Sequence, residues 1–110
     1  MKNRLQQGKP PVHPGKILFD GYMAERGITV NEMREALGVS RNQMSCIING
    51  RKTISIETAV KLAEVTGTTP ALWLNLQNKF DVWRTRQSLP AKTLERLKSY
   101  HASFEQRAAG

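Results

Sequence analysis

Apolar residues recur at helical spacing along most of the chain, and the breaks between runs are glycines, prolines and small capping residues. The best-marked unit runs from Thr29 to Lys52, TVNEMREALGVSRNQMSCIINGRK. A helix is predicted from Thr29, with Glu32 at capping-box spacing, to Leu37, where Gly38 offers the backbone freedom a helix end needs. Ser40 restarts the chain with Gln43 three residues on, and this second helix ends at Asn49 before Gly50. The spacing turns Met33, Ala36, Leu37, Met44, Ile47 and Ile48 inward and buries Val39 in the turn. Arg41, Asn42, Gln43, Ser45, Cys46 and Asn49 are left outward on the second helix.

Upstream, Pro14 is placed as a first helical residue with His13 before it, and the helix runs to about Arg26 with Ile17, Leu18, Tyr22 and Met23 inward. His13 is assigned a local structural role at that helix start. Downstream, the loop Arg51–Lys52–Thr53–Ile54 precedes Ser55, an N-cap for a helix whose inward stripe is Ile56, Ala59, Leu62, Ala63 and Thr66. Gly67 closes it, and Thr69–Pro70 starts another. That next helix carries Trp73, Leu76, Phe80 and Trp83 as a stripe, flanked by Leu72 and Leu74. Apolar on more than one side, it reads as a core face plus a symmetric dimer surface drawn from Trp73, Leu74, Leu76, Phe80 and Trp83. The competing reading is one thick core helix. The polar stretch 84–90 ends in Pro90, so a break is expected there, followed by an amphipathic helix to about Arg107 with Leu94, Leu97, Tyr100 and Phe104 on its apolar side. The organisation is thus a flexible basic arm over 1–12, an all-α domain of helix-turn-helix type over 13–86, and a C-terminal amphipathic helix over 87–110.

Charge sharpens this picture only in part. The formal charge of +8 favours acidic partners, nucleic acid before anionic lipid. Most of the excess lies in the segments before residue 27 and after residue 66, however, and the central unit is basic chiefly at one face. That face is the informative one. No Asp or Glu occurs between Glu35 and Glu57, and Ser40, Arg41, Asn42, Gln43, Ser45, Cys46 and Asn49 are groups that can address base edges or phosphates. Arg41 and Asn42 are the first candidates for base contacts. Gln43, Ser45 and Asn49, with Arg51 and Lys52 beyond the helix, are candidates for phosphate. Cys46 is a small group that a thymine methyl would accept.

Little else suggests chemistry. His13 and His101 lie far apart without a nearby cysteine, so no metal or cofactor is expected, and no phosphate loop or nucleophile motif is present. The reading is of a protein that is not an enzyme. A single cysteine fits a reducing compartment, no apolar run is long enough to span a membrane, and no signal-like apolar core follows the N-terminal charges. A cytoplasmic, soluble protein with no membrane partner is expected.

The segment resembles the helix-turn-helix of the lambda-repressor-like (XRE) family, with Gly38 and Val39 in the turn. Four ordered blocks bring it nearer to one branch, the HigA-type antitoxins, also called virulence-associated protein I: HPGKIL at His13–Leu18, GVSRNQMS at Gly38–Ser45, ING at Ile48–Gly50 and TPALWLNLQ at Thr69–Gln77. The resemblance implies a lambda-repressor-like domain of five to six helices that binds double-stranded operator DNA as a homodimer and represses transcription. It further implies autoregulation of an operon and neutralisation of a small co-encoded ribonuclease toxin. The alternative is a stand-alone, phage-like regulator of the same family with no toxin partner. Two positions depart from the family pattern: Val30 stands where Gln is frequent, and Arg34 where a small Ala is favoured. A long side chain at that helix crossing must turn outward, onto phosphate for example, or widen the packing.

Overall fold

The computed structural model describes residues 10–109, and within them the chain forms six helices and no strand. Helix α1 is continuous but has three parts: a turn of α-helix at Pro14–Lys16, a π-helical stretch at Ile17–Met23 and a closing α turn at Ala24–Arg26. The others are α2 (Val30–Leu37), α3 (Arg41–Asn49), α4 (Ile56–Thr66), α5 (Pro70–Ser88) and α6 (Ala91–Ala109). Residues 1–9 of the expected arm over 1–12 lie outside the described residues.

The helix starts follow the expected capping chemistry. Thr29 and Glu32, then Ser40 and Gln43, exchange side-chain and backbone hydrogen bonds as complete capping boxes. Ser55 and Thr69 cap α4 and α5, the latter with Pro70 as its first residue. Four helices end on left-handed glycines, Gly27, Gly38, Gly50 and Gly67.

The core is one cluster: Leu18 and Met23 from α1, Met33 and Leu37 from α2, Met44 and Ile47 from α3, Ile54, Ala59, Leu62 and Ala63 around α4, and Trp73 from α5. The π stretch has a packing consequence, since its i→i+5 ladder puts Leu18 and Met23, five residues apart, on one face, both fully buried. The α4–α5 pair packs most extensively, and α2 sits across both α3 and α4.

Several inward expectations need correction. Ile56 is 71% exposed, and Ile54 fills the core beside α4 in its place. The reason is a hydrogen bond from the Ile54 N–H to Gln77 Oε1 (3.0 Å), which pins the incoming loop before the helix begins. Gln77 is itself buried and passes the connection on, its Nε2 donating to Asp81 Oδ1 (3.0 Å), while Thr53 Oγ1 bonds Asp81 Oδ2 (3.3 Å). Ala36 is exposed, and Val39 and Ile48 are only half-buried. Trp73 is 2% exposed within the single chain, its Nε1 donating to Thr68 Oγ1 (2.8 Å), so it is core and not free to form an interface. Leu74 and Leu76 pack partly against the same core, whereas Phe80 and Trp83 remain half-exposed. Helix α5 also continues through the polar stretch, and the break falls at its far end, where Leu89 turns extended before Pro90. Beyond it α6 makes no substantial contact with the other helices, and the molecule is drawn out to 59 × 29 × 23 Å.

Candidate nucleic-acid interface

Helix α3 is held from behind by a close contact of backbones. Gly15, in the first turn of α1, lies so near the end of α3 that a Cβ there would stand 1.9 Å from the Ile47 carbonyl oxygen and 2.7 Å from that of Ile48. Only glycine allows this approach. One residue earlier but one, His13 Nδ1 accepts the Gly15 N–H (2.9 Å) as the N-cap of α1. Its ring lies over Gly50, where an added Cβ would fall 2.8 Å from His13 Cδ2, and meets Phe80 edge-to-face at 4.9 Å. The HPG and ING blocks of the sequence are therefore two sides of one contact, which sets where α3 ends and where the Arg51–Lys52 loop begins. Burial, the largest influence, holds the His13 imidazole below its ordinary pKa; Asp81 opposes this and Arg84 reinforces it.

With Met44 and Ile47 turned to the core, the side of α3 opposite them carries Asn42, Cys46 and Asn49. Arg41 and Asn42 are exposed at its N-terminal turn, and their side chains, like those of Arg51 and Lys52, make no hydrogen bond or ion pair among the described residues. Other candidates are partly committed. Ser40 Oγ and Gln43 Oε1 are spent on the capping box, leaving the Gln43 amide N–H groups to reach outward. Asn49 Nδ2 donates to Ser45 Oγ (3.1 Å), and Ser45 and Cys46 are half-buried rather than as open as Arg41.

A depression flanks α3 on each side. One, of about 210 Å³, lies toward the following loop and the start of α4, with Asn42, Gln43, Cys46, Lys52, Thr53 and Ser55 among its walls. The other, about 610 Å³, lies toward α1 and α2 and is walled by Phe19, Val30, Asn31, Arg34, Arg41, Ser45, Ile48 and Asn49. A helix seated in a major groove has a sugar–phosphate strand on either side. The protein presents a protruding helix with a basic hollow on each flank. Asn31 and Thr53 join the site in this way without having been selected from the sequence, because the outward face of α3 alone does not reveal what α2 and the loop bring beside it; Arg34, expected to turn outward, lines the larger hollow.

Comparison with known proteins agrees with this geometry. Residues 19–71 match the model of the Cro/C1-type HTH DNA-binding domain. The chain is 38% identical to antitoxin HigA-1 of Vibrio cholerae over 89% of its length and 91% of that protein. The chain belongs to the Cro/C1-type helix-turn-helix family, in its HigA antitoxin branch. It is also 35% identical to the HTH-type transcriptional regulator YbaQ of Escherichia coli, over 94% of its length and 95% of that protein. The structure of Pseudomonas aeruginosa antitoxin HigA with the higBA promoter superimposes with a TM-score of 0.69 at 30% identity, covering 78% of this chain and 92% of that one. This membership places the protein among DNA-binding regulators and not among enzymes. Among the described residues no helix is long and apolar enough to cross a membrane, and no cluster of residues suited to a metal ion occurs.

Proposed function

We propose that this HigA-type regulator is a sequence-specific repressor that binds operator DNA through α3, controls its own operon and neutralises a co-encoded toxin. The observation that carries the DNA reading is the protruding, acid-free α3 with a basic hollow on each side. Arg41 and Asn42 are assigned to base edges, and Lys52, with Arg51 and the Gln43 amide, to phosphate. The toxin is proposed from the named antitoxins among the relatives; no surface of this chain identifies it. The regulator without a toxin partner stands as the second reading because YbaQ carries the name of a transcriptional regulator alone. A toxin-like reading frame beside the gene separates the two.

A homodimer is proposed to set two copies of α3 on successive turns of the major groove, about 34 Å apart. Phe80 and Trp83, half-exposed on α5, are its assigned contacts, Trp73 having been claimed by the core. Such a regulator acts in the cytoplasm, where its operator lies.

The test is a titration of the full chain against duplex DNA from upstream of its own gene and against a scrambled duplex, at two salt concentrations. Preference for the upstream duplex by ~10³ or more supports the repressor. Equal, salt-sensitive binding to both duplexes would reject it. Within the same assay, Arg41→Ala is expected to lose about 1–3 kcal/mol on the specific duplex and to relax the sequence preference. Lys52→Ala is expected to weaken both duplexes alike.

A further inference from the structure

Arg34, on α2, is held against the turn that leads into α3 in a particular way. The side chain lies half-buried between α2 and the turn. Nη1 donates to the Val39 carbonyl (3.3 Å), while Nε and Nη2 both donate to Asn31 Oδ1 (3.2 and 3.0 Å). All these acceptors are neutral. Arg34 forms no ion pair among the described residues, although Glu35 is its neighbour in the chain and Glu32 lies on the same helix. Glu32 is engaged instead in capping the Thr29 N–H.

A guanidinium has five N–H donors in a planar fork, and only three are used here. The charge is held in place, partly shielded from water, and leaves two donors and no acidic partner to answer an incoming anion. The hollow it lines shows which kind. Phe19 and Val30, 40% and 41% exposed, and Ile48 supply an apolar lining, and Arg34, Arg41 and Asn49 supply donors. A free inorganic anion gains nothing from the apolar part, and an apolar peptide gains nothing from two guanidinium groups. A nucleotide backbone unit uses both, with its deoxyribose against Phe19 and Val30 and its phosphate toward the cations.

We propose that the hollow between α1, α2 and α3 seats one sugar–phosphate unit of the operator backbone, with Arg34 as its inner cation, pre-set by Asn31 and the Val39 carbonyl. This rests on the DNA-binding reading above and adds Arg34 and Asn31, from α2, to the groups assigned to the backbone. Arg41, at the mouth, remains free to reach a base edge. Because Arg34 bonds the carbonyl of the turn itself, the charge that grips the strand is rigidly linked to the start of α3. Phosphate contact and helix register are thereby set together.

The experiment uses the full chain as wild type, Arg34→Ala, Arg34→Lys and Asn31→Ala. Each is titrated with the upstream and scrambled duplexes across a salt series, and the upstream complex is mapped by phosphate-ethylation interference. Arg34→Ala is expected to weaken both duplexes by a similar factor, roughly tenfold. It should also reduce the slope of log affinity against log salt by about one and erase interference at one phosphate per half-site. Arg34→Lys keeps the slope and the interference and recovers part of the affinity. Asn31→Ala keeps the slope and loses affinity, since the charge stays but its orientation is freed; it also serves if Arg34→Ala does not fold. An unchanged slope and intact interference in Arg34→Ala, with operator affinity and thermal midpoint both lowered, would overturn the proposal and leave Arg34 a structural brace. Wild type binding the two duplexes equally, with the slope still falling in Arg34→Ala, would overturn the repressor reading while the backbone seat stands.

Discussion

A methyl group on Gly15 would have to displace the backbone of α3, because the obstacle is a carbonyl oxygen and not a side chain that can rotate away. Gly15→Ala is therefore expected to cost more than the ~1–3 kcal/mol of ordinary overpacking, seen as a lost or sharply lowered midpoint in chemical denaturation. Gly50→Ala combines a left-handed φ of 68° with the His13 ring above it, and should cost more than the ~1 kcal/mol of the conformational term alone. His13 is expected to contribute a pH dependence. Its pKa is lowered in the folded state, so the unfolded chain binds the proton more readily and stability falls as pH drops below the ordinary imidazole value of about 6.5. Protonation also turns Nδ1 from acceptor to donor and breaks the cap on Gly15. In His13→Asn, which keeps a capping acceptor without titrating, the loss of stability between about pH 6.5 and 5 should shrink; an unchanged acid limb would place the titrating group elsewhere. Of these positions the sequence marked Gly50 as a helix end and His13 as a local structural group. Gly15 was marked only as part of the HPGKIL block and by no local physical reason, since what requires it is a carbonyl more than thirty residues away, brought there only by the packing of α1 on α3.

Helices themselves were the most legible feature, because caps and glycine stops are local chemistry written in adjacent residues. Both capping boxes are present, as are the glycine stops expected at Gly38, Gly50 and Gly67. What escaped was longer in range. The π stretch in α1 has no marker in ILFDGYM and is a response to packing that must bury both Leu18 and Met23. The exchange of Ile56 for Ile54 followed from a buried amide on α5, and Gln77 on a helix otherwise read for its aromatic stripe drew no notice. That amide links α5 to the loop carrying Lys52. Gln77→Leu should leave the Ile54 N–H unpaired in the core and cost about 1–3 kcal/mol, measurable as a lowered denaturation midpoint; a neutral result would mean that the loop finds another acceptor.

At the scale of the molecule, α6 is a nineteen-residue helix with Leu97, Tyr100 and Phe104 each about half exposed and little of the protein behind it. Most helical stability in proteins comes from packing an amphipathic face, so its order in solution should depend on association. A Leu97→Glu/Phe104→Glu variant is expected to keep the thermal midpoint of the core while shifting sedimentation toward the protomer; an unchanged sedimentation coefficient would confine association to α5. The core itself leaves α3 in an unusual position. It is fixed by its two buried residues, its own cap and a backbone contact with Gly15, and none of these uses Arg41, Asn42 or Cys46. Mutation can therefore rewrite the exposed Arg41 and Asn42, and exchange Cys46 for other small residues, without disturbing the scaffold. A lineage built on this chain can drift to new target sites one substitution at a time, each intermediate still folded.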